Sequence, residues 1–441
     1  MNNRPIAIDL FCGCGGMSLG LEAAGFDIAA GVEIDPVHSL VHHYNFPYGV
    51  TICQDISQLS TQDLLNSIEE KGFKTEIDLI AGGPPCQGFS HMGKRQLGDP
   101  RNQLVFEYLR IVSEIKPKYF IFENVPGIAT GKHKQFLNEL TAEFTQFDYS
   151  VIQPIQVLDA SLYGAPQKRK RLILIGYRND VPKPSYPMVS CFNGQGSTTG
   201  SPTDTDNNTQ PLNTVSSSIS DLSDIPVYIK NDLGIDPQKL NYFGFRTNFA
   251  FEQPGKYSLC HKRTTNNIVW GHIGSKHTDE SIRRFAQTQP GQVEAISRFL
   301  KLAPHGLSNT LRAGTARNKG AHTAPRPIHY QVPRCISVRE AARLHTFPDW
   351  FGFHRTIWHG FREIGNAVIP LLAKALGDEI IECLQFDLSS MEIRKVPQID
   401  DSLLRYNMTQ ASAFWNVPHD VIPKRKRLDL LHKSPKRWLT S

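Results

Sequence analysis

The chain has 441 residues, 40% of them hydrophobic, with 48 Lys and Arg against 42 Asp and Glu. That is enough apolar material for two or three domains at roughly 150 residues each, and no apolar run reaches the roughly 18 residues of a membrane span. A channel, a transporter and a fibrous role are excluded.

The opening MNNRPIAIDLFCGCGG holds too short an apolar stretch for a secretory signal, so the chain is expected to be intracellular. Its eight cysteines are scattered rather than densely spaced, which is the usage of reduced thiols. Cys12 and Cys14 are the one close pair, and no zinc-type partner spacing follows them; no metal is expected.

In chain order, the first 180 residues alternate short apolar β-rich runs with amphipathic stretches, the pattern of a doubly wound α/β domain. Strands are predicted at PIAIDLF, IAAGVEI, IDLIAGG, YFIFENV and RLILIGY. Helices are predicted over Met17 to Ala24, Pro36 to Tyr44, Thr61 to Lys71 and Gln103 to Ile115. In a mostly parallel sheet of this kind the loops at the carboxyl ends of the strands bind ligands. From about Val181 to Pro226 the composition turns to Ser, Thr, Asn and Gly, which predicts a mobile insertion or linker. An irregular, basic, His- and aromatic-rich region runs on to about Phe353. A helix is then predicted at PLLAKALGDEIIECLQF, with one apolar face made by Leu371, Leu372, Ala375, Leu376, Ile380, Ile381 and Leu384.

Charge is distributed unevenly. Phe251 to Tyr330 carries twelve basic and four acidic residues, the tail from Lys424 to Ser441 seven and one, and the remainder sums to −8. An acidic body bearing two basic segments points to a polyanionic partner.

Four groups of residues carry candidate chemistry. Phe11-Cys12-Gly13-Cys14-Gly15-Gly16 ends the first strand and opens a helix, where glycines let a ligand approach the free N–H groups. Glu33 closes the next strand, placed to accept hydrogen bonds from ribose hydroxyls, and Asp55 follows VTICQ. The glycine run and Glu33 together suggest an adenosine-containing cofactor, and Asp55 fits a contact to its adenine amino group or, equally, a turn; Ser18 stands where a GxGxxG motif needs its third glycine, which disfavours a dinucleotide. Gly82-Gly83-Pro84-Pro85-Cys86 sets one thiol on a rigid loop after a strand, a candidate nucleophile. Glu123 ends an apolar strand as a candidate proton donor. In Gln167-Lys168-Arg169-Lys170-Arg171, alternation of an extended chain puts Gln167, Arg169 and Arg171 on one face, available to a phosphate or a base edge.

Taken in order, DLFCGCGG, VEID, QDI, GGPPCQGFS, ENV, QKRKR, RCISVREAARLHTFPD and GNAVIP resemble the cytosine-5 DNA methyltransferase family over roughly residues 5–180 and 308–385. The resemblance implies a Rossmann-like S-adenosylmethionine-dependent methyltransferase domain with a smaller, irregular target recognition domain. It divides the chain into a catalytic and cofactor-binding domain (1–180), an insertion and target recognition domain (181–353), a helical region completing the catalytic domain (354–390) and a basic extension (391–441). Motif by motif, it implies S-adenosylmethionine contacts from Phe11, Gly13, Gly15, Glu33, Ile34, Asp55, Ile56, Pro85, Asn366 and Val368. It makes Cys86 the nucleophile, Glu123 the group on cytosine N3, and Arg169 and Arg171 contacts to a flipped cytosine and its backbone. Thr310-Leu311 looks like the family dipeptide at the end of the recognition region. Ile369, in place of a second proline after GNAV, and His345 depart from the family pattern; Arg263, Arg283, Arg284, Arg312 and Arg317 are basic residues of the recognition region with no base assigned.

The implied substrate is double-stranded DNA, methylated at one cytosine of a short sequence. A restriction endonuclease is the expected functional counterpart, and the expected form is a cytoplasmic, nucleoid-associated monomer. RNA as substrate, a catalytically silent DNA-binding factor and a nicotinamide oxidoreductase are the competing readings.

Overall fold

The computed structural model describes residues 4–85, 103–129, 133–192, 210–224, 227, 271–314, 326–387 and 399–419. The first half of the chain builds β1 (Ile6–Leu10), α1 (Gly16–Ala24), β2 (Asp27–Glu33), α2 (Pro36–Asn45), β3 (Val50–Cys53), α3 (Thr61–Glu70), β4 (Leu79–Gly82), α4 (Gln103–Ile115), β5 (Tyr119–Asn124), α5 (His133–Gln146), β6 (Tyr149–Val151), β7 (Gln156–Asp159) and β8 (Lys170–Arg178). These strands form one sheet of order β3-β2-β1-β4-β5-β8-β6, with β7 also paired to β8. Pairing from β3 across to β5 is parallel, and β8 runs antiparallel to β5, β6 and β7. After β1 the chain winds outward through β2 and β3, then returns to place β4 on the other side of β1. The crevice at the carboxyl ends of β1 and β4 is therefore the topological switch point, the ligand-binding position of such sheets.

Both faces of the sheet are covered, which is why its strands read as nearly continuous apolar runs. Alternate residues serve different cores. Ala7, Leu79, Ala81, Ile121, Ile173 and Ile175 join one cluster with α1. Ile8, Leu10, Ile80, Phe120, Phe122, Leu172 and Leu174 join another with the apolar stripes of α3, α4 and α5.

The second half adds α6 (Val215–Ile219), α7 (Asp279–Gln287), α8 (Val338–Leu344), α9 (Ile357–Asn366), α10 (Pro370–Cys383) and α11 (Met408–Trp415). Helix α10 packs back on α1 through small residues. A Cβ on Gly20 would lie 2.4 Å from both Ala373 Cβ and Pro370 O, and one on Gly377 would lie 2.7 Å from Ala24 Cβ. The sequence therefore spends glycines where two helix backbones must meet.

The mobile linker expected from Val181 to Pro226 is corrected by the described parts of that stretch. Tyr186 donates its hydroxyl to Ile173 O at 2.8 Å. Thr214 caps α6, whose Val215 and Ile219 are buried with Leu222. Serine composition misled here because Ser217 and Ser218 bond back to Thr214 O and leave the two apolar residues to dock on α8. Residues 193–209 lie outside the described residues. The described part of the basic region, residues 271–314 and 326–330, holds α7 and isolated bridges around a small cluster that Phe285 and Ile328 make with Cys335; residues 251–270 and 315–325 lie outside the described residues. Part of the C-terminal extension is folded: α11 lies on α2, and Trp415 Nε1 donates to Pro36 O at 3.1 Å.

Candidate active site

The chain leaves β1 through Phe11 and Gly13, both with left-handed φ (61° and 56°), and Gly15 with φ 102°. This coil points its amides at β2: Glu33 Oε2 accepts from Gly13 N and Glu33 Oε1 from Asp35 N, both at 2.9 Å. Burial pushes the Glu33 carboxyl up to about 7, against the pull of those two amides. The strand pairing of Glu33 with Cys53 brings Ile34, Asp55 and Ile56 to the same edge. Asp55 is exposed and holds Ser57 N and Oγ with one oxygen, while Ile56 is buried. From the other side, Val368 presses on the start of α1: a Cβ on Gly16 would lie 2.3 Å from Val368 O. Asn366, two residues earlier, is exposed.

Under this coil lies a buried relay not anticipated from the sequence. Asp9 Oδ2 accepts from Ser18 N and Ser18 Oγ; Ser18 Oγ meets His42 Nε2 at 3.0 Å, and His42 Nδ1 meets Thr51 Oγ1 at 2.8 Å. Burial raises the Asp9 carboxyl to about 7 and lowers His42 to about 3, so the imidazole is neutral. An acidic residue inside an apolar strand was the available signal: a buried carboxylate must find donors, and Asp9 finds them in the helix it anchors.

At the carboxyl edge of β5, Glu123 is buried and its Oε1 lies 2.6 Å from Arg171 Nε. Gly83 leaves room for the carboxylate, since a Cβ there would lie 2.7 Å from Glu123 Oε2. Next to it, Asn124 Nδ2 donates to Pro84 O at 3.1 Å and ties the GGPP segment to β5. Pro85 is exposed, and Cys86 lies outside the described residues. Arg171, the partner of Glu123, lines a cleft of about 1020 Å³ together with Val125, Lys168, Thr310 and Arg312.

The alternation expected in the QKRKR segment is present: Gln167 and Arg169 are buried, Lys168 and Lys170 exposed. The Arg169 guanidinium, 2% exposed, donates to Leu311 O, Gly365 O and Ala367 O at 2.9 to 3.0 Å. Burial, reinforced by the nearby Arg171 charge and only partly offset by Glu123, lowers it to about 9. Gln167 completes the knot, donating to Leu344 O and His345 Nδ1 and accepting from Leu311 N. His345, buried and held far below its ordinary pKa, passes the network on from Nε2 to Ala367 O at 3.0 Å. The reason for a histidine at this departure from the family pattern is thus visible: both ring nitrogens are used. The REAARL residues are likewise structural. Arg339 donates to Pro348 O and Phe351 O, and Arg343 pairs with Asp221 and Asp349. In the basic region Arg283 and Arg312 are exposed, and Arg263 and Arg317 lie outside the described residues. Among the described residues no helix is long and apolar enough to cross a membrane.

Comparison with known proteins agrees with this geometry. The model of the C-5 cytosine-specific DNA methylase family matches residues 6–382. The chain is 45% identical over 434 residues to the type II methyltransferase M.XorII of Xanthomonas oryzae pv. oryzae, covering 96% of this chain and 95% of that protein. It is 32% identical to the type II methyltransferase M.DdeI of Desulfomicrobium norvegicum, covering 85% and 88%. Among solved structures, a DNA modification methyltransferase encoded within a prophage (E. coli) superposes with a TM-score of 0.66 at 32% identity, covering 87% of this chain and all of that one. The S. pombe Dnmt2 methyltransferase, 18% identical with a TM-score of 0.51 over 87% of this chain, shares the fold. With the motifs in order along a switch-point sheet and a family match spanning nearly the whole of it, the chain belongs to the C-5 cytosine-specific DNA methylases, enzymes that methylate cytosine in DNA.

Proposed function

We propose that this chain methylates C5 of one cytosine within a short double-stranded DNA sequence, using S-adenosylmethionine, by covalent catalysis from Cys86 on a base turned out of the helix. The observation that carries the reading is the Glu123–Arg171 pair at the carboxyl edge of β5, tied through Asn124 and Pro84 to the loop that bears Cys86.

The residues around Gly13 suit the cofactor. Glu33 is a carboxylate at a strand end, already ordered by two amides, and the glycine coil leaves room for a close approach. In this reading Phe11, Gly13, Gly15, Glu33, Ile34, Asp55, Ile56, Pro85, Asn366 and Val368 surround S-adenosylmethionine, which supplies an electrophilic methyl group when bound.

The chain's own groups do the rest. A stacked cytosine hides its ring face, so the base must leave the duplex. The Cys86 thiolate adds to C6, and Glu123 holds the proton at N3, so C5 gains enamine character. After C5 is methylated, loss of its proton and elimination of Cys86 restore the aromatic ring. Arg171 keeps the Glu123 carboxylate aimed at the cleft. Arg169 acts at one remove, holding the ends of the recognition region and of α9 together.

Residues 181–353 serve as the recognition domain in this reading, with the basic segment attracting a backbone that carries one charge per ~1.7 Å. The relatives' designation as type II methyltransferases supports a role beside a restriction endonuclease.

Base-resolution mapping of 5-methylcytosine in a methylation-free bacterial host expressing the chain is the test. Methylation in one short context, absent with Cys86→Ser, is expected; methylation retained by Cys86→Ser would overturn the covalent mechanism.

A further inference from the structure

Helix α9 carries His359 and Glu363 one turn apart, so their side chains share a face. That face meets the first turn of α2, where His38 stands. His38, His359 and Glu363 each bring one ligating atom there, all within 4.8 Å of one another, and on these side chains His38 Nε2, His359 Nδ1 and Glu363 Oε1 are the atoms left unpartnered. Each of the three atoms is buried, and none has a hydrogen-bond partner. His38 and Glu363 are 2% and 1% exposed.

Neighbouring groups are committed elsewhere. Glu363 Oε2 accepts from His354 N, and the two nitrogens of His354 face Thr356 Oγ1 and Tyr406 O. Asp35 Oδ2, 3.9 Å from His38 Nε2, is taken by Arg362 at 2.8 Å, so that arginine's charge is balanced.

Buried polar atoms left unsatisfied are costly, so a polar occupant is required. In the tautomers that leave both of these imidazole nitrogens unprotonated, and with Glu363 ionised, three acceptors converge, and no donor among the described residues is bonded to them. A water molecule has only two hydrogens to give, whereas a cation satisfies all three. Two imidazole nitrogens with one carboxylate oxygen select a late first-row divalent ion over magnesium or calcium.

We infer that His38, His359 and Glu363 form a binding site for a divalent transition ion such as Zn²⁺, which ties α9 to α2 behind the Gly13–Glu33 coil. Cysteine spacing gave no hint of it, because its ligands include no thiol and His38 lies more than 300 residues from the other two. The site is independent of the cofactor assignment. Its role is structural: α9 leads into Asn366 and Val368, α2 follows Glu33, and an ion between the helices braces the two sides of the coil.

The test uses the full chain, stripped with EDTA and titrated with Zn²⁺ against a chromophoric chelator, then with Co²⁺ for its visible spectrum. One equivalent of Zn²⁺ per chain is expected, with a higher melting temperature. The Co²⁺ form should show visible d–d bands without thiolate charge transfer in the near ultraviolet. His359→Ala and the nearly isosteric Glu363→Gln should each weaken binding by more than about 100-fold, since even outer-shell losses cost 10–100-fold. Glu363→Gln decides the matter if His359→Ala does not fold. No stoichiometric binding by folded protein would overturn the proposal. So would undiminished binding in a folded variant, or a thiolate spectrum, either of which puts the ion elsewhere.

Discussion

Gly16→Ala is the most direct probe of how the two ends of the chain are joined. The φ of Gly16 is ordinary, so alanine adds no backbone strain, only a methyl group 2.3 Å from Val368 O and 2.9 Å from Ala367 Cβ. Real Cβ atoms essentially never come within 3.0 Å of another heavy atom, so one side must yield. The Val368 side is poorly placed to do so, because Ala367 O is gripped by both Arg169 and His345, and Gly365 O by Arg169. The displacement should fall on the Gly13–Gly16 coil and pull Gly13 N from Glu33. Overpacking of this kind costs about 1–3 kcal/mol, equivalent to roughly a 5- to 150-fold change in an equilibrium constant. Calorimetric titration with S-adenosylmethionine and denaturant unfolding of the same protein partition that cost between affinity and stability. Gly127→Ala, an exposed position with nothing within 4 Å of the added methyl, is the matched control and should leave both unchanged. If Gly16→Ala binds within twofold of the parent and unfolds at the same denaturant concentration, the close approach of Val368 to α1 is refuted.

Arg169→Met should destabilise the protein by about 3 kcal/mol or more, because it strands three buried carbonyls at about 1–3 kcal/mol each; unfolding that matches the parent would show that the knot contributes nothing. Affinity for S-adenosylmethionine should rise by up to about tenfold per pH unit as pH climbs toward 7 and level off above it. Its cause is that the Glu33 carboxyl, raised to about 7 in the free protein, must release its proton to accept two ribose hydroxyls. Titration calorimetry across pH 5.5 to 8.5, with Glu33→Gln expected to flatten the profile, checks this; an unchanged slope in that variant would assign the proton elsewhere. For stability the sign is opposite: a carboxyl whose pKa is raised on folding contributes most at low pH, and that contribution declines between about 4.5 and 7. Trp415→Ala should cost about 1–2 kcal/mol for the lost half-buried aromatic side chain and free α11 from α2, visible as faster hydrogen exchange in α2; equal exchange would mean that α11 adds nothing to the fold.

Much of this protein was legible from local pattern. Strands β1, β2, β4, β5 and β8 stood out because burial on both sheet faces demands unbroken apolar runs, and such runs end at the edges where Glu33 and Glu123 emerge. The face of α10 was read from its 3.6-residue period, though it misses Ala373 and Gly377, buried because α1 approaches so closely. β6 and β7 were not legible, being three and four residues long and held only by pairing with β8. The Ser-rich stretch around α6 failed for the converse reason: composition measures the average, and two buried residues with satisfied hydroxyls suffice to dock a turn.

The site divides in the same way. Which residue types stand at which motif, and hence the family, is a property of the linear chain. What each side chain touches is not, since it depends on groups brought from hundreds of residues away. Alternation correctly put Gln167, Arg169 and Arg171 on one face, but only the packing of α8 and α9 decided that the first two bind carbonyls while Arg171 pairs with Glu123. A charged side chain takes whatever partners burial leaves it, and burial is decided by the whole fold.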